Sequence, residues 1–179
     1  EATRLDMGLI VCLHPAKAVA VFTSNQVKAA PVLIGMRQAA RGLIRAVLAN
    51  SGNANACTGK QGIDDAQRLM HCLAERLEID PEDVFPMSTG VIGVALPVER
   101  MLEKIPDLVE GLGDDPQCFI EAIMTTDTFA KTSIRQVGQA TVFGLAKGAG
   151  MIAPHMATML AVVLTDARLS RNELDGAVR

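Results

Sequence analysis

The sequence predicts an α/β fold with mixed sheets and flanking helices, and three observations predict it. Strand-like apolar runs alternate along the chain with segments of helical period. Two pairs of these runs are joined by very short turns, which forces antiparallel pairing into whatever sheets form. Across 179 residues, 49% hydrophobic content and a mean hydropathy of +0.26 supply one full core.

Residues 8–13 and 18–22 are the first two runs, and His14-Pro15 between them reads as the turn of a hairpin. Residues 43–48 form a third run, almost continuously apolar, which ends in the turn cluster Asn50-Ser51-Gly52-Asn53. Over 64–77 the residues Ala66, Leu69, Met70, Leu73, Ala74 and Leu77 recur at helical spacing with charges between them, predicting an amphipathic helix. Pro81 and Glu82-Asp83 follow, and the apolar step Val84-Phe85 leads into residues 87–93, MSTGVIG. Helices are predicted over 98–111 and over 116–124, the second with Pro116 near its start. Residues 132–137 and 140–145 flank Gly138-Gln139 as a second hairpin, and the apolar run 156–164 reads as a buried strand. Ser170 with Glu173 three residues later is a capping box, so a helix begins there; its abrupt stop at Arg179 is expected to reflect sequence beyond it, as is the start at Glu1.

With 17 basic against 20 acidic residues, a net charge of -3 and no block of like charge, nothing here would neutralise a run of phosphates, and nucleic acid is not an expected partner. Nor is a membrane: no apolar stretch reaches the roughly 18 to 20 residues that span a bilayer. Cys12, Cys57, Cys72 and Cys118 are scattered without close pairing and read as reduced thiols of a cytoplasmic protein. His14, His71 and His155 lie far apart with no ligand-spaced cysteine or carboxylate beside them, so no metal and no bound cofactor is expected.

Chemistry concentrates in residues 146–160, AKGAGMIAPHMATML, an apolar segment that carries Lys147, His155 and Thr158 among Gly and Pro. Polar groups in such a setting require a reason. The plain reading is a turn and a core strand, with Lys147 snorkelling to the surface. The glycines lack the spacing and the Lys-Ser/Thr ending of a phosphate loop, and no GxSxG elbow is present. Residues 50–59, NSGNANACTG, suit either a turn or a polar substrate-binding loop.

The run KGAGMIAPHMATML resembles the processing-site signature of the ornithine acetyltransferase family, whose members form two subunits by cleaving before the Thr of ATML. VFTSNQVKAAPV at 21–32, NSGNANACTG at 50–59, STGVIG at 88–93 and IMTTDTF at 123–129 resemble further family segments in the expected order. The resemblance implies an ornithine acetyltransferase-like fold, incomplete without a C-terminal half. It divides the chain into an α-subunit region, 1–157, and the start of a β-subunit region, 158–179. The scissile bond is then Ala157-Thr158, and Thr158 is the nucleophile, its freed α-amine acting as base. Thr89 and Gly90 form the oxyanion hole. Thr125, Lys147 and Thr158 contact the substrate. His155 stands where the family commonly has Asn.

The implied activity is that of a glutamate N-acetyltransferase, moving an acetyl group from N-acetylornithine to glutamate by a ping-pong route, with acetyl-CoA as a second donor in bifunctional members. The implied partner is the chain's own β subunit in an α2β2 heterotetramer. Two rivals remain: a self-processing aminopeptidase of related architecture, which typically opens its β subunit with Ser, and an inactive half that serves only in assembly.

Overall fold

Residues 43–48 are apolar almost continuously, Arg45 apart, and they become the strand around which the chain folds. In the computed structural model, which describes residues 5–149 and 159–178, strand β2 (Leu43–Asn50) lies between β1 (Met7–Lys17) and β3 (Val84–Ser88). It is antiparallel to β1 and parallel to β3, so the sheet is mixed, as expected. The period of two along β2 divides the core. Ala46 and Leu48 face one cluster with Leu69, Leu73, Val84 and Ile105, while Val47 and Ala49 face a second with Phe119, Ile123 and Leu145.

The first cluster is covered by α2 (Gly59–Leu77), whose apolar stripe was legible from its spacing, and by α3 (Val98–Glu110), a helix the sequence also predicts. The second is closed by α4 (Gln117–Ile123) and by an antiparallel sheet of β4 (Lys131–Val137), β5 (Ala140–Lys147) and β6 (Leu160–Thr165). The hairpin at Gly138-Gln139 is borne out. The Ser170 capping box is as well: α5 (Arg171–Val178) begins behind it, with Ser170 N donating to Glu173 Oε2 at 2.7 Å and Glu173 N to Ser170 Oγ at 3.3 Å. Arg171 then donates to the carbonyls of Ala39 and Ala40.

Two expectations are corrected. Residues 8–13 and 18–22 do not form a hairpin. The chain passes through His14-Pro15 as one strand, β1, paired with β2 on both sides of them. Between Val11 and Ala16 the register slips, so that four residues oppose Arg45 alone. Pro15, which has no N–H to give a ladder, falls in this bulge, and Arg45 Nε donates to Cys12 O at 3.0 Å across it. Residues 18–22 are irregular, and Phe22 stacks on Phe85 with ring centroids 6.4 Å apart.

The second correction concerns residues 156–164, expected as a buried strand: β6 begins at Leu160 and alternates half-buried with exposed residues, Val163 being 64% exposed, and residues 156–158 lie outside the described residues. One helix that the pattern did not reveal, α1 (Ala30–Arg41), lies against β3 and α2. Pro31 is at its start and Gly42, with φ of 81°, is its left-handed C-cap. Its buried face holds Gly35 and the wholly buried Gln38, whose amide donates to Val84 O. Those two residues break the apolar period that would otherwise have announced a helix.

Candidate functional site

β2 and β3 run parallel and end together, at Asn50 and Ser88, and in open α/β sheets the carboxyl ends of parallel strands are where ligand sites form. The loops that leave these two ends are locked to each other. Thr89 N donates to Asn50 O at 3.0 Å, Val91 N to Gly52 O at 3.1 Å, and Ala54 N to Val91 O at 2.9 Å. The side chains complete the lock: Ser88 Oγ donates to Asn50 Oδ1 at 2.6 Å, Asn50 Nδ2 to Asn53 O at 2.8 Å, and Asn53 Nδ2 to the carbonyls of Val94 and Ala95. Asn55, wholly buried, receives Thr58 Oγ1 and donates to Gly62 O, tying the loop to the start of α2. The side-chain amides of Asn50, Asn53 and Asn55 are therefore engaged in internal bonds, and the segment braces residues 88–95.

The brace fixes Thr89 and Gly90. Gly90 has φ of 138°, and a Cβ there would sit 2.2 Å from the carbonyl carbon of Gly52. Thr89 is 4% exposed, and its Oγ1 accepts a hydrogen bond from Lys147 Nζ at 2.8 Å. Lys147, the last residue of β5, is 3% exposed. The snorkelling alternative is thus set aside: the ammonium points inwards and meets Thr89, 58 positions away in sequence.

The third group is Asp127, a residue the sequence reading passed over. Its carboxylate accepts from Lys131 Nζ, from Gly148 N at 2.8 Å and from Thr125 N at 3.3 Å. Burial on its own would raise the Asp127 carboxyl, but those three donors and the Lys131 charge outweigh it and hold the pKa down to about 2. Burial pushes Lys147 below the ordinary lysine range; the Asp127 charge opposes that shift and the Lys131 charge adds to it. Asp127 thereby joins the Thr125 loop to the end of β5, where Lys147 is paired with Leu160 of β6. The signal in the sequence was a carboxylate amid threonines with Lys131 four residues on.

Of the residues singled out from sequence, Thr89, Gly90, Thr125 and Lys147 are described, and Thr89 and Lys147 are in direct contact. Thr158, Ala157 and His155 lie outside the described residues. Met159, the residue after Thr158, is described and lies against Gly148. Two surface hollows, one by Val27, Leu33, Cys57 and Ile63 and one by Lys17, Arg168 and Leu174, hold none of these groups. Among the described residues no His, Cys, Asp and Glu cluster could hold a metal ion.

Fold and site together define a mixed α/β protein that sets a buried hydroxyl, a left-handed glycine and a buried ammonium at the carboxyl end of a parallel strand pair. The chain belongs to the ArgJ family, whose model matches residues 1–179. It is similar to the arginine biosynthesis bifunctional protein ArgJ of Geobacter sulfurreducens, 52% identical over 98% of this chain and 46% of that protein. The corresponding protein of Syntrophotalea carbinolica is 48% identical over 97% of this chain and 45% of its own length. This chain therefore spans about half the length of the curated relatives it matches. Among solved structures, ornithine acetyltransferase complexed with ornithine from Mycobacterium tuberculosis superposes with a TM-score of 0.74 at 35% identity, covering 87% of this chain and 84% of that one. The arginine biosynthesis bifunctional protein ArgJ of Bacillus halodurans gives 0.72 at 36% identity, covering 89% and 85%.

Two outcomes test this geometry. Gly90→Ala should disrupt the brace and lower the denaturation midpoint, because backbone rather than a flexible side chain stands in the way of the new methyl. Asp127→Asn should cost on the order of 2 kcal/mol at neutral pH. The folded pKa of Asp127 is depressed from 3.8 to about 2, so its contribution is full above that ordinary value and fades as pH falls towards 2. Urea titrations of parent and variant across that range should converge at the acid end.

Proposed function

We propose that this chain is the part of a self-processing acetyltransferase that carries the oxyanion donors, the substrate ammonium and the cleavage point. The observation that carries the proposal is the 2.8 Å bond from Lys147 to Thr89. Family resemblance assigned those two residues to one site by motif alone, and they are far apart in the sequence.

In this reading Thr158 Oγ attacks the carbonyl carbon of Ala157, the C–N bond breaks, and the acyl group moves from nitrogen to oxygen. Water then hydrolyses the ester, leaving residues 1–157 as one subunit and Thr158 as the first residue of the next. The relative lengths support this. The solved chains are matched over 84% and 85% of their lengths and the curated polypeptides over less than half, the relation that a break near the middle of the polypeptide would produce.

The new α-amine, with an ordinary pKa of about 7.7 to 8.0, takes the proton from Thr158 Oγ as that oxygen attacks the acetyl carbon of N-acetylornithine. Thr89 and the Gly90 backbone stabilise the tetrahedral oxyanion, and ornithine leaves with the proton. The glutamate amine then attacks the acetyl ester and restores the hydroxyl. Lys147 and Thr125 position the substrate, the ammonium suiting its carboxylate. The names of the relatives, bifunctional arginine biosynthesis proteins and an ornithine acetyltransferase bound to ornithine, favour transfer over peptide hydrolysis and agree with acetyl-CoA as a second donor. An α2β2 assembly in the cytoplasm completes the proposal.

The test uses the full-length polypeptide. Intact mass and N-terminal sequencing should find a break between Ala157 and Thr158, absent in Thr158→Ala. Thr89→Ala should lower kcat by about a hundredfold to a thousandfold with the fold retained. An unbroken parent that transfers acetyl groups, or a Thr89→Ala enzyme at parental kcat, would contradict the assignment.

A further inference from the structure

We propose that Lys147 is a positioning residue of the oxyanion hole: by donating to the Thr89 hydroxyl oxygen, it obliges that hydroxyl to donate its own proton towards the reacting carbonyl. The inference rests on the reading of Thr89 as an oxyanion donor and gives Lys147 a role beyond holding a substrate carboxylate.

The argument is one of hydrogen-bond direction. A threonine hydroxyl has one hydrogen and two lone pairs, and it can serve as donor or acceptor to most partners. An ammonium has three hydrogens and no lone pair. At 2.8 Å from Lys147 Nζ, Thr89 Oγ1 must therefore accept, and its hydrogen must lie in another direction. A neutral amide or hydroxyl in the place of Nζ would remove that constraint, because it could accept the Thr89 proton itself.

The setting strengthens the effect. Thr89 and Lys147 are both almost fully buried, so water competes little for either group. A charged donor on the oxygen polarises the remaining O–H bond, and more so where the surroundings are of low dielectric. Both ends are held: Thr89 N is bonded to Asn50 O, and Lys147 ends β5 paired with Leu160. Asp127, bonded to the N–H of the next residue, Gly148, supplies a nearby negative charge that favours the ammonium over the neutral amine. Three hydrogens on one nitrogen also allow the same ammonium to meet a substrate carboxylate, so that binding and oxyanion stabilisation share an atom.

The two roles of Lys147 separate in a double-mutant cycle on the full-length enzyme after chain cleavage is complete, with N-acetylornithine and glutamate as substrates. Loss of carboxylate binding alone raises KM. Loss of the hydroxyl direction lowers kcat, and only where a hydroxyl is present. Lys147→Met should lower kcat about tenfold or more in the parent but about twofold or less beside Thr89→Val. Lys147→Gln, whose carbonyl can accept from Thr89, should be far slower than Lys147→Arg, which can only donate. Equal kcat losses from Lys147→Met in the two backgrounds, or equal kcat for the Gln and Arg variants, would overturn the proposal. The Gln and Arg pair carries the test if the Met variant does not fold. Parental kcat in Thr89→Val would instead remove the oxyanion reading itself, and this inference with it.

Discussion

The structure depends on the hydrogen-bonded lock between the loops that leave β2 and β3. Two parallel strands ending side by side leave carbonyls and N–H groups without ladder partners, and burial of such groups is costly unless each is answered. Thr89 N answers Asn50 O at the strand ends, and Asn50, Asn53 and Asn55 answer backbone groups of the loops that follow with side-chain amides, at buried positions where an apolar residue could not. Gly90 completes the lock by letting the two backbones come closer than any side chain would permit. The outcome is that Thr89 is held from three directions: by its own backbone bond, by the approach of Gly90 to Gly52, and by Lys147.

Charge is organised around this rigid point. Lys131, Asp127 and Lys147 alternate in sign, with the carboxylate between two ammoniums. Asp127 is satisfied by local donors and stays ionised, so its field stabilises the buried charge of Lys147 without a direct ion pair between them. The second sheet gains a purpose from this arrangement: β5 brings Lys147 beneath the brace, and β6 pairs with it from Leu160 onward.

Much of the fold was legible in the sequence wherever one physical period dominated. The α2 stripe, the Gly138-Gln139 hairpin and the Ser170 capping box each carry a local signal that tertiary contacts do not override. The β1 bulge was not legible, because His14-Pro15 is turn chemistry by composition and becomes part of a strand only when Arg45 of β2 is there to bridge it. Helix α1 was hidden for a related reason: Gly35 fits beneath Phe85 and Gln38 reaches Val84 O, and both are long-range facts. In the site, motifs located Thr89 and Lys147, but their contact is made across 58 residues and belongs to the fold. Asp127 was missed because only the lysine four residues on marks it in the sequence, while its other partners are the backbone N–H groups of Thr125 and Gly148, which no residue pattern displays.

The central claim is that this brace presents an oxyanion site to an acetyl group carried on Thr158. Its most direct test is to mix the cleaved full-length enzyme with N-acetylornithine, omit glutamate, quench in acid and map the peptides by mass spectrometry. The account predicts one acetyl group on the peptide beginning at Thr158, lost when glutamate is added before the quench. An acetyl group found elsewhere, or none on that peptide while acetylglutamate is still formed, would contradict it.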